Sequence, residues 1–164
     1  LAVGKHTNGS SIRASGSIEG SIISYPAADL AEWVPVDSRG TYEQGDLLEI
    51  SLLESDTFSK TSRAYSPALV GVVSTTAGLI LGEENLIHKK TFQLALAGRV
   101  PVKVSLENGP IKIGDLITSS STPGVGMKAL KKGRVVGFAL EEYASKSVGQ
   151  VKILINPHWW GGEN

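Results

Sequence analysis

Short apolar runs broken by Gly, Pro and Ser dominate the chain from residue 29 onward, and helical periodicity is nearly absent. Segments 100–105 and 150–156 alternate apolar and polar residues, which is typical of strands that bury one face. The pattern predicts seven strands, over residues 46–53, 68–75, 92–98, 100–105, 115–119, 134–142 and 150–156. Short β-branched runs with turn residues between them predict an all-β domain, either a β-barrel or a sandwich.

Turn signals lie between these runs. The stretch LENGPI, residues 106–111, predicts a turn because Gly109 can adopt a positive φ. The stretch SSSTPGVG, residues 119–126, is too polar and too rich in Gly for a strand and predicts a loop. The best helical candidate is one turn at ADLAEW, where Asp29 could cap the turn and Glu32 follows three residues later.

The strand pattern occurs twice along the chain. Residues 42–51 and 111–120 share Gly-Asp-Leu followed by a strand that ends in Ser. Downstream, residues 69–74 correspond to 135–140, and residues 92–98 correspond to 149–156, in the same order. The repeated order predicts two similar halves.

Each half opens on a Gly-Asp pair, Gly45–Asp46 and Gly114–Asp115. Glycine permits the left-handed conformation of a tight turn, and the aspartate can accept backbone N–H groups across it. The alternative is a pair of metal-binding carboxylates, but no other acidic residue keeps a fixed spacing to them. We therefore predict two structural turns, and they resemble the GD box of double-psi and swapped-hairpin barrels.

Residues 1–28 differ in composition from the rest because Ser and Gly dominate them. Their few apolar residues cannot form a core, so we predict an extended, β-prone arm that pairs with a neighbouring copy. The duplicated β-domain is predicted over residues 29–156, and an aromatic tail over residues 157–164. The expected contacts between copies are Ile12, Ile18, Ile22, Ile23, Trp159 and Trp160. The alternative for the two tryptophans is that both rings fold back on their own domain.

Composition excludes several functional classes. Sixteen basic residues balance 16 acidic ones, which does not favour a nucleic-acid partner. The chain contains no cysteine and its three histidines share no ligand spacing, so we expect neither a metal nor a cofactor. No apolar run is long enough for a membrane span. The scarcity of Met and Cys fits a thermophile, and the glycosylation sequon at Asn8 favours an extracellular or cell-surface location.

Several motifs together resemble a C-terminal β-domain of large, repetitive, secreted bacterial proteins. The resemblance spans residues 29–156 and rests on DLAEW (29–33), GDLLEI (45–50), SRAYSPALVGVVSTTAGLILG (62–82), ALAGRVPVKVSLENGPIKIGDLITSSSTPGVGMKA (95–129) and VKILIN (151–156). The part from residue 28 to residue 82 is also similar to the C-terminal chaperone domain of phage neck-appendage and tail-fibre proteins. In that peptidase family the domain assists trimer assembly and then cleaves itself from the fibre.

This second resemblance implies a scissile bond between Ala28 and Asp29, with Glu32 as the catalytic residue. The chain departs from the family at two positions, because Leu30 replaces a Tyr and Ala28 replaces a hydroxyl-bearing Ser. Because the hydroxyl is missing, we predict that Asp29 and Glu32 stabilise a turn and that the chain is not an enzyme. No nucleophile elbow or phosphate-binding loop occurs elsewhere in the sequence.

The sequence thus predicts an extracellular structural protein that assembles with itself into a filament, tube or fibre through arm exchange. One alternative is an autoproteolytic assembly-chaperone domain of a phage-type fibre. Another is a carbohydrate-binding appendage domain, in which Trp33, Trp159 and Trp160 are stacking platforms for surface glycans.

Overall fold

The computed structural model describes residues 29–82, 84 and 89–162. Its regular elements are ten β-strands: β1 (Asp29–Pro35), β2 (Leu47–Ile50), β3 (Phe58–Lys60), β4 (Leu69–Ser74), β5 (Leu79–Leu81), β6 (Thr91–Val104), β7 (Leu116–Ser119), β8 (Gly126–Lys128), β9 (Gly133–Ala139) and β10 (Gly149–Trp160). The prediction of an all-β fold is confirmed. Over the described ranges, no helix is long and apolar enough to cross a membrane.

The 14-residue strand β6 connects the two halves. Its first part pairs with β1 and β4, in a sheet ordered β5–β1–β6–β4–β2–β3. Its second part pairs with β10 and, at Val104, with β8. Strands β6, β8, β7, β9 and β10 thereby form a closed, barrel-like ring. The sequence predicted two strands here, 92–98 and 100–105, but the chain passes through Gly98 at a φ of 108° without leaving the sheet.

The first sheet is buried on both faces at β2 and β4. Neighbouring residues of β2, Leu47 and Leu48, belong to different apolar clusters, and so do Val72 and Val73 of β4. One cluster contains buried side chains of both halves. The other cluster includes Tyr42. A strand buried on both faces has a continuous apolar sequence, which is why these segments lack alternation.

The prediction of a helical turn at ADLAEW is wrong, because this segment forms strand β1. Seven residues of β1 pair with β6, and the apolar side chains of Ala31 and Val34 are buried. Backbone pairing with distant strands therefore outweighs the local capping pattern. The last strand is also longer than predicted, since β10 continues through Trp160, into the residues assigned to the tail.

A turn at Asp37–Arg39 leads to the loop that carries Tyr42. The Arg39 backbone N–H and Nε bond Asp37 Oδ1 at 3.0 and 2.9 Å, and Nη2 bonds Oδ2 at 2.7 Å. These bonds hold the pKa of Asp37 at about 2, compared with an ordinary value of 3.8.

We expect Arg39→Gln to raise the pKa of Asp37 toward its ordinary value. The side-chain hydrogen bonds with Arg39 are the largest cause of the lowered pKa, and this variant removes them. The folded pKa lies below the unfolded one, so this carboxylate stabilises the fold above pH 3.8. That contribution is lost as the pH falls through 2. NMR titration of the Asp37 carboxyl measures the shift, with Lys132→Gln as a distant control. An unchanged titration midpoint of Asp37 in the Arg39→Gln variant would contradict Arg39 as the cause of the low pKa.

Candidate assembly surface

The two Gly-Asp turns have the same geometry. Gly45 and Gly114 adopt φ values of 86° and 89°, which favour glycine. In both turns the aspartate Oδ2 accepts the backbone N–H of the residue three positions earlier, at 2.7 Å. Each turn then enters an equivalent strand, since β2 pairs with β4 and β7 pairs with β9. The fold is thus built from two similar halves.

Both aspartates form ion pairs with lysines. Asp46 lies 2.9 Å from Lys60 Nζ and 2.8 Å from Lys103 Nζ, whereas Asp115 lies 3.0 Å from Lys128 Nζ. The Asp46 side chain is 2% exposed and that of Asp115 is 19% exposed. Within residues 29–82, 84 and 89–162, no group of three acidic, His or Cys side chains could hold a metal. Lysine ammonium groups pair with both carboxylates, which is compatible with the predicted structural turns. That role stays a prediction.

Asp29 and Glu32 differ in burial. Asp29 is buried on β1 while Glu32 is exposed. In the described part of the chain, Asp29 Oδ2 has no hydrogen-bond partner. A β-bulge interrupts the pairing of β1 with β6 between Leu30 and Ala31. Whether these two residues cleave a peptide bond is not tested by this arrangement, and the absence of cleavage stays a prediction.

An exposed apolar edge lies beside β1. We call it the edge surface and define it as Leu30, Leu79, Ile80, Leu81 and Leu96. Leu79 and Leu81 of β5 are 54% and 45% exposed. Leu30 aligns with Leu79 in the parallel β1–β5 pair. Strand β5 pairs with β1, and its outer edge has no strand partner among the described residues.

The edge surface was not predicted from the sequence. Its signal is the run GLILG, residues 78–82, in which three apolar residues lie between glycines. A run of three was too short to predict a strand.

The structure separates the tryptophans predicted to bind partners or glycans. Trp159 is 61% exposed, while Trp160 is half-buried against a cavity of about 370 Å³. Trp33 lines a different cavity, of about 270 Å³, with Gln93. The three rings therefore do not form one stacking platform. The other predicted contacts, Ile12, Ile18, Ile22 and Ile23, lie outside the described residues, and all six contacts between copies stay predictions.

Comparison with known proteins identifies the fold. No protein-family model matches the sequence, and no curated protein matches it. The structure of pre-mature bacteriophage phi29 gene product 12 aligns with a TM-score of 0.60 and 16% identity, over 87% of this chain and 24% of that one. A C-terminal fragment of gene product 12 aligns with a TM-score of 0.52 and 17% identity, over 78% of this chain and 100% of the fragment.

The chain therefore spans about a quarter of the length of the first structure. At these identities the likeness establishes a shared fold. It supports the resemblance to a phage appendage domain, and neither structure supports the context of a secreted bacterial repeat protein.

Proposed function

We propose that this chain contains the assembly domain of a fibre or appendage protein, a β-domain that associates with copies of itself. The observation that carries the proposal is the edge surface, an apolar edge strand beside the first strand of the domain, with no strand partner on its outer edge among the described residues. The fold shared with bacteriophage phi29 gene product 12 supports a phage-type fibre over the other sequence-based hypotheses.

The edge surface has the composition of an interface. Self-association would bury Leu79 and Leu81, each contributing about 1 kcal/mol because roughly half of each side chain is already covered. The edge strand contains no Lys or Pro, the residues that commonly prevent pairing between edges. The sequence carries no net charge, so long-range repulsion between copies is small.

The position of β1 suggests how the preceding chain takes part. Strand β1 begins at Asp29 and pairs with both β5 and β6. Residues 1–28 therefore join the domain beside the edge surface. A segment of this length, fully extended, reaches about 90 Å, enough to cross a neighbouring domain. We propose that this segment is exchanged between copies.

We expect the double variant Leu79→Lys with Leu81→Lys to lose self-association, because two charges would have to be buried at each interface. Sedimentation velocity measures the oligomeric state, and a thermal melt checks that the fold persists. Leu52→Lys with Leu53→Lys is the matched control, since both leucines are 82% exposed and lie outside the edge surface. If the Leu79→Lys/Leu81→Lys variant still forms oligomers, the proposed surface is contradicted.

We also propose that the chain does not cleave itself. Two observations support this: the Ala28 side chain has no hydroxyl, and Asp29 is buried while Glu32 is exposed. Prolonged incubation followed by intact-mass measurement is expected to show one species. A fragment beginning at Asp29, and its absence from Glu32→Ala, would instead establish the autoproteolytic alternative.

A further inference from the structure

The first Gly-Asp turn is covered by a residue from the other half of the chain. Gly124 inserts between β2 and the residue after β3, accepting the Leu47 N–H at 2.8 Å and donating to the Thr61 carbonyl at 3.1 Å. Thr61 in turn donates to the Leu47 carbonyl at 3.0 Å. Gly124 therefore acts as a one-residue strand beside the turn.

The second turn has the same acceptor site without the inserted residue. Ala129 donates to the Leu116 carbonyl at 2.8 Å, as Thr61 does to Leu47. Because the N–H and C=O of one strand residue point to the same edge, the Leu116 N–H also faces Ala129. Among the described residues, the Ala129 carbonyl has no backbone partner, and the Leu116 N–H has none outside the strands. The cavity of about 370 Å³ occupies the corresponding space.

The two turn glycines show the same difference. The Gly45 carbonyl accepts the Lys103 N–H at 2.9 Å, and a Cβ at Gly45 would lie 3.1 Å from that nitrogen. The Gly114 carbonyl has no backbone partner in the described ranges, and a Cβ there would meet nothing within 4 Å. Lys103, which also pairs with Asp46, has no counterpart at the second turn.

We propose that the cavity at the second turn is a strand-acceptor slot that binds residues 1–28 of a neighbouring copy. This inference rests on the proposed function. The slot is bounded by Leu116 and Ala129, which offer backbone groups, and by Leu130, Phe138 and Trp160, which form its apolar side. An extended segment can donate to the Ala129 carbonyl and accept the Leu116 N–H, as Gly124 does in the first half.

The first turn specifies the occupant. The inserted residue must be small, because a Cβ on Gly124 would lie 3.1 Å from Asp46 Oδ1. A cation must accompany it to take the place of Lys103 beside the aspartate. Residues 1–28 contain all the features required. The small residues are Gly4, Gly9, Gly16 and Gly20, and the cations are Lys5 and Arg13. Ile18 and Ile22 could contact the apolar side of the slot. Gly162 does not line this cavity, since it packs against the backbone of Lys132.

A fluorescent peptide with the sequence of residues 1–28 tests the slot. Added to the full-length chain, it should bind, and Leu130→Glu should weaken binding by about tenfold or more because a carboxylate would replace an apolar side chain that lines the slot. Leu130 is 59% exposed, so this variant is expected to fold, and Leu53→Glu is the matched control. Equal peptide affinity in the two variants overturns the slot, even if both still self-associate, and leaves the proposed function standing. A monomeric chain that binds the peptide through Leu130 overturns the proposed function and supports the slot.

Disulfide trapping identifies which copy supplies the segment, because the chain has no cysteine of its own. An equimolar mixture of an Ile22→Cys chain and a Leu130→Cys chain, oxidised together, should yield the mixed two-chain disulfide. Ile113→Cys replaces Leu130→Cys as the control, since Ile113 is exposed and does not line the cavity. A second chain carries both Ile22→Cys and Leu130→Cys. If this chain closes only on itself and the mixture of single variants gives no hetero-disulfide, exchange between copies is overturned.

Discussion

Replacing Asp46 with Ala is expected to lower the free energy of unfolding by about 3–4 kcal/mol, the usual cost of breaking a buried ion pair. The Asp46 carboxylate accepts a backbone N–H and pairs with Lys60 and Lys103 at 2% side-chain exposure. Its loss strands both ammonium groups, which are three-quarters or more buried. Asp115→Ala removes one lysine pair at a more exposed turn, so we expect a loss of about 1–2 kcal/mol.

Urea unfolding of the two alanine variants measures the difference. Asp46→Asn separates the contributions, because an amide oxygen still accepts the backbone N–H but offers no charge to the lysines. Equal losses for Asp46→Ala and Asp115→Ala would mean that the extra cover at the first turn contributes no stability.

Gly137→Ala is expected to abolish the folded state, at a cost of more than about 4 kcal/mol. Gly137 of β9 has a φ of 155°, lies opposite Ile117 of β7 and Ile155 of β10, and has no free space on its Cβ side. A methyl group there would overlap the Leu154 carbonyl oxygen, so β9 and β10 would have to separate and the ring would open.

Gly109→Ala is the matched control for this effect. Gly109 also has a positive φ, of 89°, but a Cβ there meets nothing within 4 Å. The expected cost is about 1 kcal/mol, from backbone strain alone. Circular dichroism and denaturant unfolding distinguish the variants, and a Gly137→Ala protein as stable as Gly109→Ala would refute the close approach.

The sequence allowed the all-β class and the duplicated Gly-Asp turns to be predicted, because both depend on local chemistry. Turn geometry is encoded within a few residues, so Gly45–Asp46 and Gly114–Asp115 could be matched by inspection. Strand β1 could not be predicted in this way, since the spacing of Asp29 and Glu32 suits a helical turn until β6 is available for pairing.

The features that matter for assembly were less accessible. Asp46 and Asp115 have the same local sequence, and their different exposure arises from Gly124 and Lys103, which are distant along the chain. Which Gly-Asp turn is covered depends on how the two halves pack against each other, and the residue types at the turns do not reveal this. The edge surface is likewise set by the order of strands in the sheet, because Leu79 and Leu81 would be buried on a central strand.

The shared strand β6 also determines when this domain can be completed during synthesis. Its first part belongs to the N-terminal sheet and its second part to the ring, so the sheet lacks a central strand until Gly98 has been made and the ring lacks β6 until Val104 has been made. The ring closes only when β10 pairs with both β6 and β9, which requires the chain to emerge as far as Trp160. Until then the strand edges that β10 will cover are open to other chains on the same message.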